Sequence, residues 1–323
     1  MPPDATNAHH VTAIPGSSIP DGAVTGKITT PDGVELRFAR WASPAGAKGT
    51  VCVFGGRGEF IEKYFETARE LQARGFAVAT MDWRGQGHSS RKLPDPRKGH
   101  VESFAEFEID VEAFMRQVVL ADCPPPYYAL AHSMGGAALL RVAHSGKRWF
   151  ERTVLVSPMI DFPGARASLP VRILMRTLRL AGFGSCYVPG SNIDRARASD
   201  FIENPLTSDP LRYARNVSIV EQDPAIGIGP PTVAWLDAAF ATVVAFRAAD
   251  YPSRIDQPVL MVAAGGDSVV SAAAIKEFAM RLPAATHRMI EGARHEILQE
   301  QDGYRAQFWA AFDAFMPGAP SVK

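Results

Sequence analysis

Features that would place this chain in several common functional classes are missing. Its 323 residues include three cysteines, Cys52, Cys123 and Cys186, which lie too far apart for a disulfide framework or a zinc site. The 34 basic and 34 acidic residues balance, so no net charge draws the chain to nucleic acid. No apolar run approaches the ~18 residues of a membrane-spanning helix, and the first residues lack the pattern of a signal peptide. We therefore expect a cytoplasmic protein that binds no nucleic acid.

Motifs for common cofactors are also missing. Neither G-x-x-x-x-G-K-[ST] nor G-x-G-x-x-G occurs, so the sequence offers no standard phosphate or dinucleotide loop. We expect a protein that needs neither a metal nor an organic cofactor.

The residues that are present predict one large α/β domain. A hydrophobic content of 46% in 323 residues is ample for one core with a cap. Apolar segments and helical patterns alternate, which predicts a mostly parallel, twisted sheet covered by helices on both faces. A hairpin precedes this sheet, and we expect the polar residues 1–24 to form a poorly ordered tail. The predicted segments are the hairpin at 27–41, strands at 49–54, 76–81 and 153–156, and a helix at 103–120.

The most informative residue is Ser133. An apolar stretch at residues 127–131 runs directly into His132-Ser133-Met134-Gly135-Gly136, and helix-forming residues follow. This is the strand, sharp turn and helix of a nucleophile elbow, which lifts the serine Oγ above a parallel sheet. Small residues two before and two after the serine fit the crowded turn. The alternative interpretation is an ordinary helix start that contains a serine.

An acid and a histidine follow in the order that α/β-hydrolases use. Asp267 comes just after the apolar run 258–264, which predicts a buried strand. His295 lies in a loop after the predicted strand 285–290, whereas His287 lies inside that strand. Because strand ends meet at one edge of the sheet, we expect Ser133, Asp267 and His295 to form a catalytic triad.

Such a triad also needs donors for the oxyanion of the tetrahedral intermediate. The backbone N–H of Met134, directly after the nucleophile, is the first candidate. The loop 55–59 follows the predicted strand 49–54 and contains three glycines, so it can turn N–H groups toward the serine. We expect the second donor to be the backbone N–H of Arg57. A plain glycine-rich turn is the alternative.

These motifs together resemble one family. The segment GGRGEFIEKY at 55–64 resembles the H-G-x-G-E segment of the lysophospholipase and monoacylglycerol lipase family, which contains serine aminopeptidase-like hydrolase domains. MDWRGQGHS at 81–89 resembles its D-x-R-G-x-G-x-S loop, and AHSMGG at 131–136 its G-H-S-M-G-G elbow. The resemblance implies an α/β-hydrolase fold and hydrolysis of acyl esters of glycerol. Two positions depart from the pattern: Gly55 stands in place of a histidine and Ala131 in place of a glycine.

In this fold a helical cap is inserted between the later strands. We expect the hydrolase core at 25–159 and 251–323 and the cap at 160–250. Within the predicted cap helix 170–180, Val171, Leu174, Met175 and Leu178 share one face at 100° per residue. That face either packs on the core or contacts lipid, which would give the cap transient contact with a membrane surface. A second cap helix is predicted at 232–247.

The sequence thus predicts a serine hydrolase that cleaves a small lipid ester, a lysophospholipid or a monoacylglycerol. The same triad serves short-chain esterases, thioesterases and prolyl-type aminopeptidases, since specificity lies in the cap. A haloperoxidase or C–C hydrolase, and a non-catalytic binding protein on this fold, are the remaining alternatives. Oligomeric state and head-group preference do not follow from the sequence.

Overall fold

The computed structural model of the protein describes residues 11, 13, 17–43, 46–191 and 201–317. The predicted tail at 1–24 falls largely outside this part of the chain. Eight strands form one sheet within the described residues, in the order β1-β2-β4-β3-β5-β6-β7-β8. The strands are β1 Ala23–Thr29, β2 Glu35–Trp41, β3 Thr50–Phe54, β4 Ala77–Met81, β5 Tyr127–His132, β6 Arg152–Val156, β7 Val259–Ala264 and β8 Ala285–Ile290.

The sheet is mostly parallel, as the sequence predicts. β1 and β2 form the antiparallel hairpin, and β2 pairs antiparallel with β4. The remaining neighbours in the sheet, in the order β4-β3-β5-β6-β7-β8, all pair in parallel. The carboxyl ends of β3, β5, β7 and β8 therefore lie at the same edge, where ligands bind in such sheets.

Apolar runs build the central strands because both sheet faces are covered. Every residue of β3 is buried. Cys52 and Phe54 join the hydrophobic cluster on one face, while Val51 and Val53 join the cluster on the other. This alternation follows from the two-residue period of a strand.

Helices cover both faces of this sheet. α1 and α9 pack on one face through Phe65 and Phe312, whereas α2, α4 and α8 pack on the other. A π-helical turn at Met115–Val119 joins α2 to α3, so the predicted helix 103–120 is one interrupted helix. The helices are α1 Phe65–Ala73, α2 Ala105–Phe114, α3 Leu120–Asp122, α4 Met134–His144, α5 Leu169–Leu178, α6 Pro210–Gln222, α7 Val233–Phe246, α8 Ala272–Arg281 and α9 Asp302–Phe315.

The interval between β6 and β7 contains α5, α6 and α7, where the sequence predicts the cap. α7 begins after Thr232, whose hydroxyl accepts a hydrogen bond from Trp235 N–H at 3.2 Å. This side-chain cap explains the helix start at that residue. The cap boundaries at 160 and 250 stay a prediction.

The four apolar residues predicted to share one face of α5 differ in their burial. Met175 is buried, and Val171 and Leu178 pack beside it. Leu174, however, is 50% exposed. Leu174 lies at the edge of this apolar face. α7 and its neighbours cover the centre of the face and leave its edge open to solvent.

Candidate active site

Ser133 occupies the tight turn between β5 and α4. Its φ of 50° and ψ of −115° lie outside the usual regions for an L-residue, which is the strained backbone of a nucleophile elbow. Neighbouring glycines permit this turn to approach β3. A Cβ on Gly135 would lie 2.5 Å from the backbone oxygen of Gly55, so only glycine fits there. Ala131, the departure from the family pattern, is fully buried within β5.

The structure brings the three residues of the predicted triad together. His295 Nε2 lies 2.9 Å from Ser133 Oγ, and His295 Nδ1 lies 2.8 Å from Asp267 Oδ2. Asp267 follows β7 and His295 follows β8, at the edge where β5 ends. His287 lies inside β8 opposite Met261, as the sequence predicts. This geometry allows a proton to pass from the serine to a histidine that is held by a carboxylate.

The environment of Asp267 keeps its carboxyl ionised. Its side chain is fully buried, and Oδ1 accepts hydrogen bonds from the N–H groups of Val269 (2.8 Å) and Val270 (3.0 Å). Burial acts to raise the pKa of Asp267, but the hydrogen bond from His295 and the two backbone donors outweigh it. The pKa therefore lies below its ordinary value.

The two predicted oxyanion donors belong to different elements. Met134 is the first residue of α4, so its N–H has no acceptor within the helix. Arg57 lies in the oxyanion loop, residues 55–59, which follows β3. Gly56 N–H donates to the Glu59 carboxylate, and Gly58 N–H donates to Gln86 Oε1 at 2.5 Å. These bonds fix the Gly55–Gly56 and Arg57–Gly58 peptides.

The loop also accommodates its departure from the family pattern. A Cβ on Gly55 would lie 3.2 Å from both the Glu59 Cβ and a ring carbon of Tyr64. The Gly55 backbone oxygen accepts a hydrogen bond from the Trp83 indole at 2.8 Å. A larger residue at position 55 would therefore have to displace these neighbours.

Comparison with known proteins identifies the family. The profile of the family described as "Serine aminopeptidase, S33" matches residues 45–302, which is most of the chain. The chain belongs to this family. Among curated relatives, lysophospholipase L2 of Escherichia coli K12 is 33% identical over 294 residues, covering 87% of this chain and 83% of the relative. Monoglyceride lipase of Mus musculus is 31% identical over 127 residues, covering 38% and 39%.

Solved structures confirm the α/β-hydrolase fold. A soluble variant of monoglyceride lipase from Saccharomyces cerevisiae superposes with a TM-score of 0.70 at 20% identity, covering 90% of this chain and 95% of that one. A thermostable carboxyl esterase from Bacillus coagulans gives 0.71 at 18% identity, covering 93% and 99%. At these identities the likeness concerns the fold alone.

The sequence analysis did not predict a buried ionic network in this S33 hydrolase that joins the oxyanion loop to the histidine loop, residues 291–296, which follows β8 and contains His295. Lys63 Nζ lies 2.9 Å from Glu59 Oε1 and 2.6 Å from Glu296 Oε1. Glu59 Oε2 also contacts Tyr64 Oη at 2.5 Å and His132 Nδ1 at 3.1 Å. The spacing of Glu59 and Lys63, four residues apart, was the available signal, but nothing near them in sequence points to Glu296.

His132 packs against His295, the histidine of the predicted triad. Its Nε2 lies 3.2 Å from the His295 backbone oxygen, and the two rings lie 4.7 Å apart. Burial opposes a charge on His132, but the Glu59 carboxylate outweighs it and raises the pKa of His132. Burial likewise opposes a charge on Glu59, and His132 and Lys63 hold the pKa of Glu59 well below its usual range. These groups fix the position of His295.

A cavity of about 520 Å³ lies beside these two loops. Gly58 of the oxyanion loop and Glu296 of the histidine loop both contribute to its wall. Most of the remaining wall is apolar and comes from α6 and its surroundings, including Phe60, Leu206, Val217, Val220 and Ile228. A cavity of this kind suits an apolar ligand.

Proposed function

We propose that this protein hydrolyses the carboxylic esters of lipid-like alcohols, with lysophospholipids and monoacylglycerols as substrates. The observation that carries the proposal is the contact of Ser133 Oγ with His295 Nε2 at 2.9 Å in a strained elbow. The curated relatives named lysophospholipase and monoglyceride lipase are carboxylic ester hydrolases, and this chain is an enzyme of that class.

In the proposed mechanism, His295 removes the proton from Ser133 as Oγ attacks the ester carbonyl. The backbone N–H groups of Arg57 and Met134 stabilise the oxyanion, and Asp267 stabilises the imidazolium. The imidazolium then protonates the departing glycerol oxygen, which leaves an acyl group on Ser133. His295 next activates water, which attacks the acyl-enzyme and releases the fatty acid.

The apolar cavity supports a lipid acyl chain as the substrate. Its position next to Gly58 and Glu296 would let a chain extend from a carbonyl held at Ser133 into apolar surroundings. Burying each methylene contributes ~0.8 kcal/mol, so a long chain binds better than a short one. We expect kcat/KM to rise with acyl-chain length.

The family description favours peptide hydrolysis as the second candidate. A triad of this kind cleaves amides as well as esters, and the matched profile is named for a serine aminopeptidase. Release of p-nitroaniline from a prolyl anilide separates the two candidates. Turnover of the anilide without turnover of a lipid ester would favour the aminopeptidase.

We also propose that the cap contacts a membrane surface from the cytoplasm. No helix in the described part of the chain is long and apolar enough to cross a bilayer. Five large apolar residues on or just after α5 are 50–74% exposed, which suits partial insertion among lipid headgroups. They are Leu169, Ile173, Leu174, Leu180 and Phe183. The three cysteines are free, which fits a reducing compartment.

Vesicle sedimentation tests this contact. Replacing Ile173→Ser and Leu180→Ser together should release the protein from phosphatidylcholine vesicles. Met280→Ser is the matched control, because Met280 is 74% exposed on α8 in the hydrolase core. Equal binding of both proteins to vesicles would contradict the proposal.

Fatty-acid release tests the proposed activity. 1-Acyl-lysophosphatidylcholine and 1-monoacylglycerol with the same acyl chain are compared, and Ser133→Ala serves as control. We expect release from both, and a loss of roughly four to six orders of magnitude in the variant. No release from either, with Ser133 still labelled by a fluorophosphonate, would show that the serine is reactive but that the substrates are wrong.

A further inference from the structure

Arg57 has a side chain whose charge no carboxylate in the described part of the chain neutralises. Glu59 and Glu62 are the acidic residues nearest to Arg57 in sequence, but Glu59 bonds Lys63 and His132, and Glu62 bonds Arg37 at 2.6 Å. Arg57 makes no ion pair with a described carboxylate, and its buried Nε has no hydrogen-bond acceptor. An uncompensated charge in such surroundings costs free energy, so the fold retains it at the expense of stability.

The guanidinium is nevertheless held in a defined position. Its Nη2 donates to the Gly229 backbone oxygen at 2.8 Å, and its Cζ lies 5.1 Å from the ring of Trp235. Trp235 Nε1 is also buried without an acceptor. Arg57 and Trp235 are therefore in contact, and each has a buried N–H group without a hydrogen-bond acceptor. Burial lowers the pKa of Arg57 to about 10, which leaves the group protonated at neutral pH.

The guanidinium lies beside a residue of the cavity wall. Gly229, its hydrogen-bond acceptor, lines the cavity together with Gly58. As a whole, the Arg57 residue is half-buried. Its own backbone N–H is the proposed oxyanion donor. The same residue therefore carries the proposed oxyanion donor and a guanidinium that lies beside the cavity wall.

We propose that the Arg57 guanidinium recognises the phosphodiester of a lysophospholipid and makes the enzyme prefer lysophospholipids to monoacylglycerols. The proposal rests on the lipid-ester function above and deepens it. A phosphodiester carries one negative charge and two free oxygens, which match an arginine fork. The head of a monoacylglycerol is uncharged and leaves the guanidinium uncompensated.

The test is the ratio of kcat/KM for 1-acyl-lysophosphatidylcholine to kcat/KM for 1-monoacylglycerol with the same acyl chain. Arg57→Met keeps the backbone N–H and removes the charge. We expect this ratio to fall roughly tenfold to a hundredfold, the range for charge-assisted hydrogen bonds. Arg57→Lys keeps the charge without the fork and should lie between the wild type and the Met variant.

Arg179→Met is the matched control, because Arg179 is a cap arginine that is neutralised by Asp237 at 2.9 Å and Glu102 at 3.0 Å. Its ratio should stay within about twofold of the wild type, well below the effect expected of a charged contact. A guanidinium that only braces the loop would lower both activities of Arg57→Met equally. An unchanged ratio in that variant overturns the proposal.

Two other outcomes would also overturn the proposal. Inhibition by added fatty acid measures whether the carboxylate of the product binds at the Arg57 guanidinium. If Arg57→Met weakens this inhibition and leaves the substrate ratio unchanged, the guanidinium binds the product instead of the head group. If the wild type hydrolyses neither lipid while a fluorophosphonate labels Ser133, the lipid-ester function fails and the head-group inference falls with it. If the wild type hydrolyses both lipids and Arg57→Met leaves the ratio of kcat/KM unchanged, the head-group inference is refuted while the lipid-ester function stands.

Discussion

Replacing Asp267 by asparagine separates the orientation of His295 from the stability of the fold. Oδ1 of Asp267 accepts two backbone N–H bonds, and an amide oxygen can accept the same two. The amide NH₂ would then face His295 Nδ1, where Oδ2 now lies at 2.8 Å. A donor at that position forces the proton of the imidazole onto Nε2, which can no longer accept the proton of Ser133.

The expected cost is large for catalysis and small for folding. A wrong tautomer lowers kcat by ~10⁴, or ~5.5 kcal/mol in activation free energy. Because the backbone bonds are kept, the free energy of unfolding should change by only ~1 kcal/mol. The assay is kcat/KM for lysophosphatidylcholine together with urea unfolding. Asp161→Asn is the control, since Asp161 pairs with Arg247 outside the site. An Asp267→Asn enzyme that keeps a tenth of wild-type kcat/KM would refute the tautomer argument.

Three further predictions concern the site and its support. His287→Gln should keep most activity in the fatty-acid assay, whereas His295→Gln should lose it; equal losses would mean that the base is misassigned. Gly135→Ala would place a Cβ 2.5 Å from a backbone oxygen of the oxyanion loop and should lower kcat and cost ~1–3 kcal/mol in unfolding, whereas Gly303→Ala meets nothing within 4 Å and should be neutral. Burial opposes ionisation of Glu66, but ion pairs to arginines lower its pKa from 4.5 to about 2. Its contribution is therefore complete above pH 4.5 and lost as the pH falls toward 2. Urea unfolding should find Glu66→Gln less stable than the wild type at pH 7 and equally stable near pH 2. A difference in the free energy of unfolding that does not change with pH would contradict this.

The sheet could be predicted because buried parallel strands carry long apolar runs. β8 spans 285–290, as predicted, and β7 starts one residue after its predicted start. The ends of these strands also place Asp267 and His295, because parallel strands bring their carboxyl ends to one edge. The catalytic roles of these residues stay a prediction that the substitutions above test.

Contacts between distant segments could not be predicted in this way. Lys63 and Glu296 are 233 residues apart, and no local pattern links them. The exposure of Leu174 depends on what packs against α5, whereas helical periodicity describes α5 alone. The lack of an ion pair between Arg57 and a described carboxylate is similar, since Glu59 contacts His132 and Glu62 pairs with Arg37, both distant in sequence.

The Lys63 bridge bears on how this enzyme can be altered. Lys63 touches the oxyanion loop through Glu59 and the histidine loop through Glu296, and all three side chains are almost fully buried. Taking away one carboxylate leaves the other alone beside a cation that two had balanced. A change in one loop therefore requires a matching change in the other. A transplant of either loop from a relative needs its counterpart to come with it, even though Lys63 and Glu296 lie 233 residues apart.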